Sequence, residues 1–165
     1  MSIRPILTFP HPGLRRPAER VTDFGEAMQK LAQDLLATMR DAPGIGITAP
    51  HIGVPLRLVV IEIEPAAPRF CVNPEVEWSS SDLVRREEGS VSMPGVSDEV
   101  ERPASIRLRY QDMSGTVLNE EASGLLATCL QHEIDQLDGI FWIFRLSRLK
   151  RERLVKRFEK LKRLG

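Results

Sequence analysis

Within one run of the chain, Cys129-Leu130-Gln131-His132-Glu133-Ile134-Asp135-Gln136-Leu137-Asp138-Gly139, sit a thiol, an imidazole, a carboxylate and an amide at helical spacing. Residues four apart lie one turn from each other, so the spacing predicts that His132 and Gln136 point the same way, with Glu133 beside them and Cys129 one turn back. A helix reading His-Glu-x-x-His holds a divalent metal between two imidazoles and uses the Glu as general base. Here the second imidazole position carries Gln136.

The same helix needs a core to lie against. Leu126, Leu130, Ile134 and Leu137 recur at helical spacing on the opposite side, and Gly139 is placed to end the helix at C′. Upstream, residues 1 to 20 read as an extended, proline-punctuated arm. Thr22 or Asp23 is expected to cap a helix running to about Arg40, with Met28, Leu31, Leu35 and Met39 as its apolar stripe. Residues 42 to 53 are too rich in Gly and Pro for a helix. Gly44 and Gly46 suit either a tight connection or a loop whose backbone approaches a ligand closely. Leu58 to Ile61 and Phe70 to Val72 read as strands, the second ended by an Asn73-Pro74 turn. Residues 76 to 91 look broken and charged. Ile106, Leu108 and Tyr110 alternate with Arg107 and Arg109, and a turn at 112 to 115 leads to a partner strand at about 116 to 120. A basic C-terminal helix follows, with Leu154, Phe158 and Leu161 as a narrow apolar stripe. Strands cluster before the motif helix instead of alternating with helices, which predicts α+β with a mostly antiparallel sheet.

The 165 residues, 42% hydrophobic, suit a single domain over 1–165 with one sizeable core. The 23 basic and 23 acidic residues balance, so net charge argues for neither DNA nor membrane. Residues 145 to 165 nevertheless hold ten Lys/Arg against two acids. No signal peptide or membrane span is read, and a cytoplasmic location is expected. With only Cys71 and Cys129, reduced thiols are expected rather than a disulfide framework.

Three stretches in this order, Gly44 to Gly53, Glu88 to Gly95 and Gln131 to Gly139, resemble the three motifs of the peptide deformylases. The likeness extends along nearly the whole chain, through the proline-rich N-terminus, the Asn73-Pro74 corner, the Tyr110 to Gly115 hairpin and the charged C-terminal helix. It implies the deformylase fold, a mostly antiparallel sheet around the central motif helix with helices at either end of the chain. The family's activity is removal of the formyl group from the initiator methionine of new proteins. In the family, a divalent metal is held by a Cys of the middle motif and the two His of the helix motif. The Glu of the helix acts as general base, and a Gln ending the first motif and a backbone N–H beside the ligand Cys stabilise the oxyanion.

Matched by position, the Cys site is Ser90, the two His sites are His132 and Gln136, the Glu is Glu133, the Gln is His51 and the N–H is that of Val91. Thr48 stands where the family usually has Ala. Gly44, Ile45, Gly46 and Gly89 match the positions beside which the family's extended peptide lies. Ser hydroxyl and Gln carbonyl are neutral, hard oxygens in place of thiolate and imidazole. Full Cys/His zinc sites contribute about 10 to 16 kcal/mol, and a one-imidazole site keeps little of that. No tightly bound cofactor is therefore expected; any that binds is a divalent ion such as Fe²⁺, Zn²⁺, Ni²⁺ or Co²⁺. Without it Glu133 must activate ordinary water, and general base catalysis supplies only about 10² to 10⁴-fold. Deformylase turnover is thus expected to be weak or absent.

Alternatives remain open. His51 as a second imidazole would give an active deformylase with an unusual shell around His132. Ser90 and His132 would make a nucleophile and base if a third group oriented the imidazole and an oxyanion site stood nearby. Cys129 reads as packing. The favoured expectation is a polar network in the vacated metal position, Ser90, His132, Glu133 and Gln136 hydrogen-bonding one another or an ordered water. A non-catalytic binder of N-terminal or formylated peptides is a further possibility, as is a ribosome contact through the basic helix.

Overall fold

A computed structural model of the chain describes residues 1–165. A five-stranded antiparallel sheet is built from β1 (Gly46–Thr48), β2 (Leu58–Ile61), β3 (Arg69–Ser79), β6 (Ser105–Gln111) and β7 (Val117–Ser123), in that spatial order. Strands β4 (Leu83–Ser90) and β5 (Met93–Pro103) form a separate two-stranded ribbon. Helices α1 (Glu26–Asp41), α2 (Gly124–Leu137) and α3 (Arg148–Leu164) complete the α+β architecture. Leu130 and Leu137 of α2 pack with Val59, Cys71, Ile106 and Leu108 of the sheet, while Leu31, Leu35 and Met39 of α1 pack with Ile47, Leu58 and Val60. Leu154 and Phe158 tie α3 to Met93, Phe141 and Trp142. Both cysteines are free and buried. No helix is long and apolar enough to cross a membrane.

Several local expectations are corrected. The first helix begins at Glu26 with Gly25 as N-cap, because Asp23 spends its carboxylate on the Gly25 N–H (2.9 Å) and the chain turns once more before winding. Asn73-Pro74 does not end a strand. β3 runs through it with a register shift between Val72 and Glu75, and Asn73 takes a positive φ of 50°. The Asn73 side chain compensates, accepting from Val21 N–H and donating to Val21 O and Gln111 Oε1; the proline falls at the bulge, where its missing N–H costs no ladder bond.

Residues 76 to 91 are not irregular either: they finish β3 and form β4. The ribbon of β4 and β5 is largely solvent-exposed, so its charges mask the period-2 pattern that marks a half-buried strand. In α3, Leu154 and Phe158 are buried while Leu161 is 42% exposed, so the apolar stripe is shorter than the periodicity predicts. Gly139 ends α2 as expected, with φ 78°.

Candidate functional site

A cleft of about 540 Å³ lies between the edge strand β1, the turn joining β4 to β5, and α2. Gly44, Ile45, Gly46, His51, Gly89, Ser90, Val91, Cys129, His132 and Glu133 all border it. The glycine-rich loop is therefore both the tight connection and the wall of a cleft, since β1 and a short 3-10 helix (Ala49–Ile52) fill it. Close approach explains two of its glycines. A Cβ on Gly44 would stand 2.7 Å from the Val91 side chain, and one on Gly46 would collide with the Glu133 carboxylate. Cys129 belongs to the core, as expected, and also touches the cleft; burial pushes its thiol up to about 12, which leaves it inert.

Gln136 is the principal correction. It does not border the cleft: its amide donates to the Leu14 carbonyl at 2.6 Å, tying α2 to the N-terminal arm. Helical spacing aligned Gln136 with His132, but the unsatisfied carbonyl of Leu14 lay within reach of a long amide and claimed it. Direct hydrogen bonds among Ser90, His132, Glu133 and Gln136 consequently do not form. Ser90 Oγ accepts from the Ser92 N–H at 3.0 Å, and His132 Nδ1 pairs with Glu88 Oε1 at 2.8 Å.

That last contact opens a chain of charges invisible from residue spacing. Arg102 donates through Nε and Nη2 to Glu88 (2.6 and 2.9 Å) and through Nη1 to Asp135 (2.8 Å), and Asp135 also accepts two bonds from Arg145. Burial works against ionising Glu88, yet the bonds from His132 and Arg102 outweigh it and hold its pKa below the usual carboxylate range. Burial likewise opposes charging His132, but Glu133 and Glu88 raise its pKa overall. The partners come from β4, β5, α2 and the segment after it, so no local pattern in the sequence announces them. Only the positions of Glu88 beside Ser90 and of Asp135 between Glu133 and Gln136 hinted at a role.

On the other side of the cleft, His51 and Thr48 form a capping box. Thr48 N–H donates to His51 Nδ1 at 2.9 Å, and the Thr48 hydroxyl lies at the same distance from that nitrogen. Two of the first motif's departures are thus one device: the Thr hydroxyl and backbone hold the imidazole that replaces an amide. Burial, with the nearby His132 charge, depresses the His51 pKa to about 3, so the ring is neutral. A backbone N–H only donates, hence Nδ1 is the acceptor and the ring proton sits on Nε2. That Nε2–H, wholly buried, has no partner in the protein. Glu133 Oε1 and Thr128 Oγ1, which also border the cleft, have none either. Burial drives the Glu133 pKa up to about 7, against the pull of His132.

These residues do not fit a divalent ion. His132 is the one imidazole bordering the cleft whose Nε2 can offer a lone pair, since Glu88 takes its Nδ1, Gln136 is engaged elsewhere, and no three His, Cys, Asp or Glu side chains converge on a common point. His51 cannot complete the shell, because its Nδ1 lone pair is used and its Nε2 carries the proton.

Residues 3–152 match the family model for polypeptide deformylase. A protein of Brucella melitensis named peptide deformylase-like is 63% identical over 164 residues, which is 99% of this chain and 100% of the relative. A peptide deformylase of Phenylobacterium zucineum is 46% identical, with 97% of each chain covered. Among solved structures, a peptide deformylase from Legionella pneumophila superposes with a TM-score of 0.93 at 41% identity, covering 99% of this chain and 97% of that one. A Synechococcus elongatus peptide deformylase in complex with actinonin gives 0.90 at 34% identity, covering 93% and 86%.

Proposed function

This chain belongs to the peptide deformylase family, and from that premise we propose that it keeps the family's peptide cleft while having lost its metal shell, so that metal-dependent removal of N-formyl groups is weak or absent. The observation that carries this reading is the engagement of Gln136 with Leu14 O, which takes the third ligand position out of the cleft altogether. What remains is suited to holding an N-terminal methionyl peptide, formylated or free. The edge strand β1 offers backbone groups beside Gly44, Ile45 and Gly46, with Gly89 facing them across the cleft. By the motif match, Glu133, His51 and the Val91 N–H correspond to the family's base and oxyanion donors.

The test is hydrolysis of a formyl-methionyl tripeptide after anaerobic loading with iron, cobalt or zinc, with Glu133→Ala as control. A flat trace that becomes metal-dependent turnover in the double variant Ser90→Cys, Gln136→His supports the reading. Metal-dependent turnover of the native chain, abolished by Glu133→Ala, overturns it. The basic helix supports a second reading, a cytoplasmic contact with ribosomal RNA. Phe144, 38% exposed, is stacked by Arg15 and Arg151 at 4.7 and 5.2 Å beside the charges of α3. Salt-dependent co-sedimentation with ribosomes checks it, and absence of binding at low salt ends it.

A further inference from the structure

The geometry points to a second chemistry for this cleft: Ser90, His132 and Glu88 as nucleophile, base and orienting carboxylate for transfer of a small acyl group, with the His51 Nε2–H as oxyanion donor. The inference rests on the cleft reading above and adds covalent catalysis to it.

Each role has its own observation. Glu88 Oε1 lies 2.8 Å from His132 Nδ1 and is itself fixed by two bonds from Arg102, so it orients the imidazole with Nε2 left for another partner. The Trp142 ring lies over His132 with centroids 6.5 Å apart and the two planes inclined by 28°. Ser90 Oγ accepts the Ser92 N–H at 3.0 Å, which pins the side chain in its turn and leaves the hydroxyl proton free to be given away. Ser90 and His132 border the same cleft without a hydrogen bond between them in the free protein. Catalytic bonds of this kind shorten when substrate fills the site. His51 Nε2–H is a buried donor with no protein partner in the same cleft, and the Val91 N–H follows the nucleophile directly, a position from which backbone amides serve oxyanions in other serine hydrolases.

In the first step, which starts from the neutral form of His132, Ser90 Oγ bonds to the carbonyl carbon of a formyl or acetyl ester or amide and its proton passes to His132 Nε2. The carbonyl oxygen becomes an alkoxide facing His51 Nε2–H. Collapse breaks the bond to the leaving alcohol or amine, which departs with the His132 proton, leaving an ester on Ser90. Water then attacks that ester, giving its proton to His132; the carboxylic acid is released and Ser90 regains its proton.

The experiment mixes the full chain with p-nitrophenyl acetate in the presence of EDTA, follows nitrophenolate by stopped flow, and maps the acetyl group by mass spectrometry. A stoichiometric burst with the acetyl group on Ser90 is expected. Ser90→Ala should abolish it, and His132→Ala should slow acylation about 10²-fold, with free imidazole restoring part of the rate. Glu88→Gln should slow acylation at saturating ester while leaving the half-saturating concentration unchanged, as befits a positioning residue. No burst, or acetylation confined to other side chains, overturns the proposal, and mapping on the native chain decides this even if a variant fails to fold. Calorimetry with a formyl-methionyl tripeptide is run alongside. Peptide binding without acetylation of Ser90 sinks this inference alone; loss of both sinks the cleft reading as well.

Discussion

The two flanks of α2 differ in how they treat buried polarity. Towards β4 and β5, Glu88, Arg102 and Asp135 are buried, and each ion has its counter-ion within 2.9 Å. Towards β1 and the 3-10 helix after it, His51 Nε2, Glu133 Oε1 and Thr128 Oγ1 are equally buried, and none has a partner in the protein. An unsatisfied buried polar atom costs about 1 to 3 kcal/mol, so the second flank lowers stability where the first sustains it. Closed polarity fixes its members in place, Glu88 and through it the His132 imidazole among them. Three of the six buried side-chain atoms without a partner gather in this cleft, the others, Arg86 Nε, Ser92 Oγ and Trp142 Nε1, lying outside it, and open polarity so gathered marks a surface whose partners arrive with a ligand.

Breaking the closed flank should have the largest effect. Arg102→Ala leaves Glu88 and Asp135 buried and uncompensated, and chemical denaturation should register a loss of about 3 to 5 kcal/mol. A loss under about 1 kcal/mol would erase the contrast between the flanks.

The open flank should reveal itself through pH. The folded pKa of His51 is about 3, below the ordinary imidazole value of 6.5, so the unfolded chain takes up the proton first as pH falls. Stability is therefore lost from about pH 6.5 down to about pH 3, amounting to about 3 kcal/mol at pH 4. His51→Gln should flatten the profile by that amount when denaturation curves at pH 7 and pH 4 are compared; an unchanged slope would show that the ring is not held neutral.

Gly46→Ala should cost about 1 to 3 kcal/mol through overpacking. The new methyl would displace the Glu133 carboxylate, so calorimetry should also show weakened peptide binding. The smallest effect belongs to the rim of the closed flank. Arg145 is 46% exposed and Asp135 keeps Arg102, so Arg145→Ala should lower the unfolding free energy by no more than about 1 kcal/mol.

How much of this was legible beforehand varied with the range of the interaction. The helical stripe of Leu130, Ile134 and Leu137, the Gly139 stop and the alternation of Ile106, Leu108 and Tyr110 are local periodicities, and they yielded α2, β6 and the α+β class. The solvated ribbon β4–β5 and the passage of β3 through Asn73-Pro74 were not legible, because charges on an exposed ribbon hide its alternation and the bulge is satisfied by Val21 and Gln111, far away in the chain. At the site, Ser90, His132, Glu133 and His51 were named from the motifs and do share one cleft. Gln136 was named with them and does not.

By itself, the sequence determined the family, the element periods and the chemical identity of each side chain in the three motifs, because all of these are properties of residue type and spacing. Which lone pair each side chain spends, and on what, was decided only in the tertiary structure. The Leu14 carbonyl claims Gln136, Glu88 claims His132 Nδ1, and Thr48 claims His51 Nδ1 and thereby leaves the ring proton on Nε2. Hydrogen bonds of a few ångströms join residues as many as 122 positions apart, and no one-dimensional pattern carries that information.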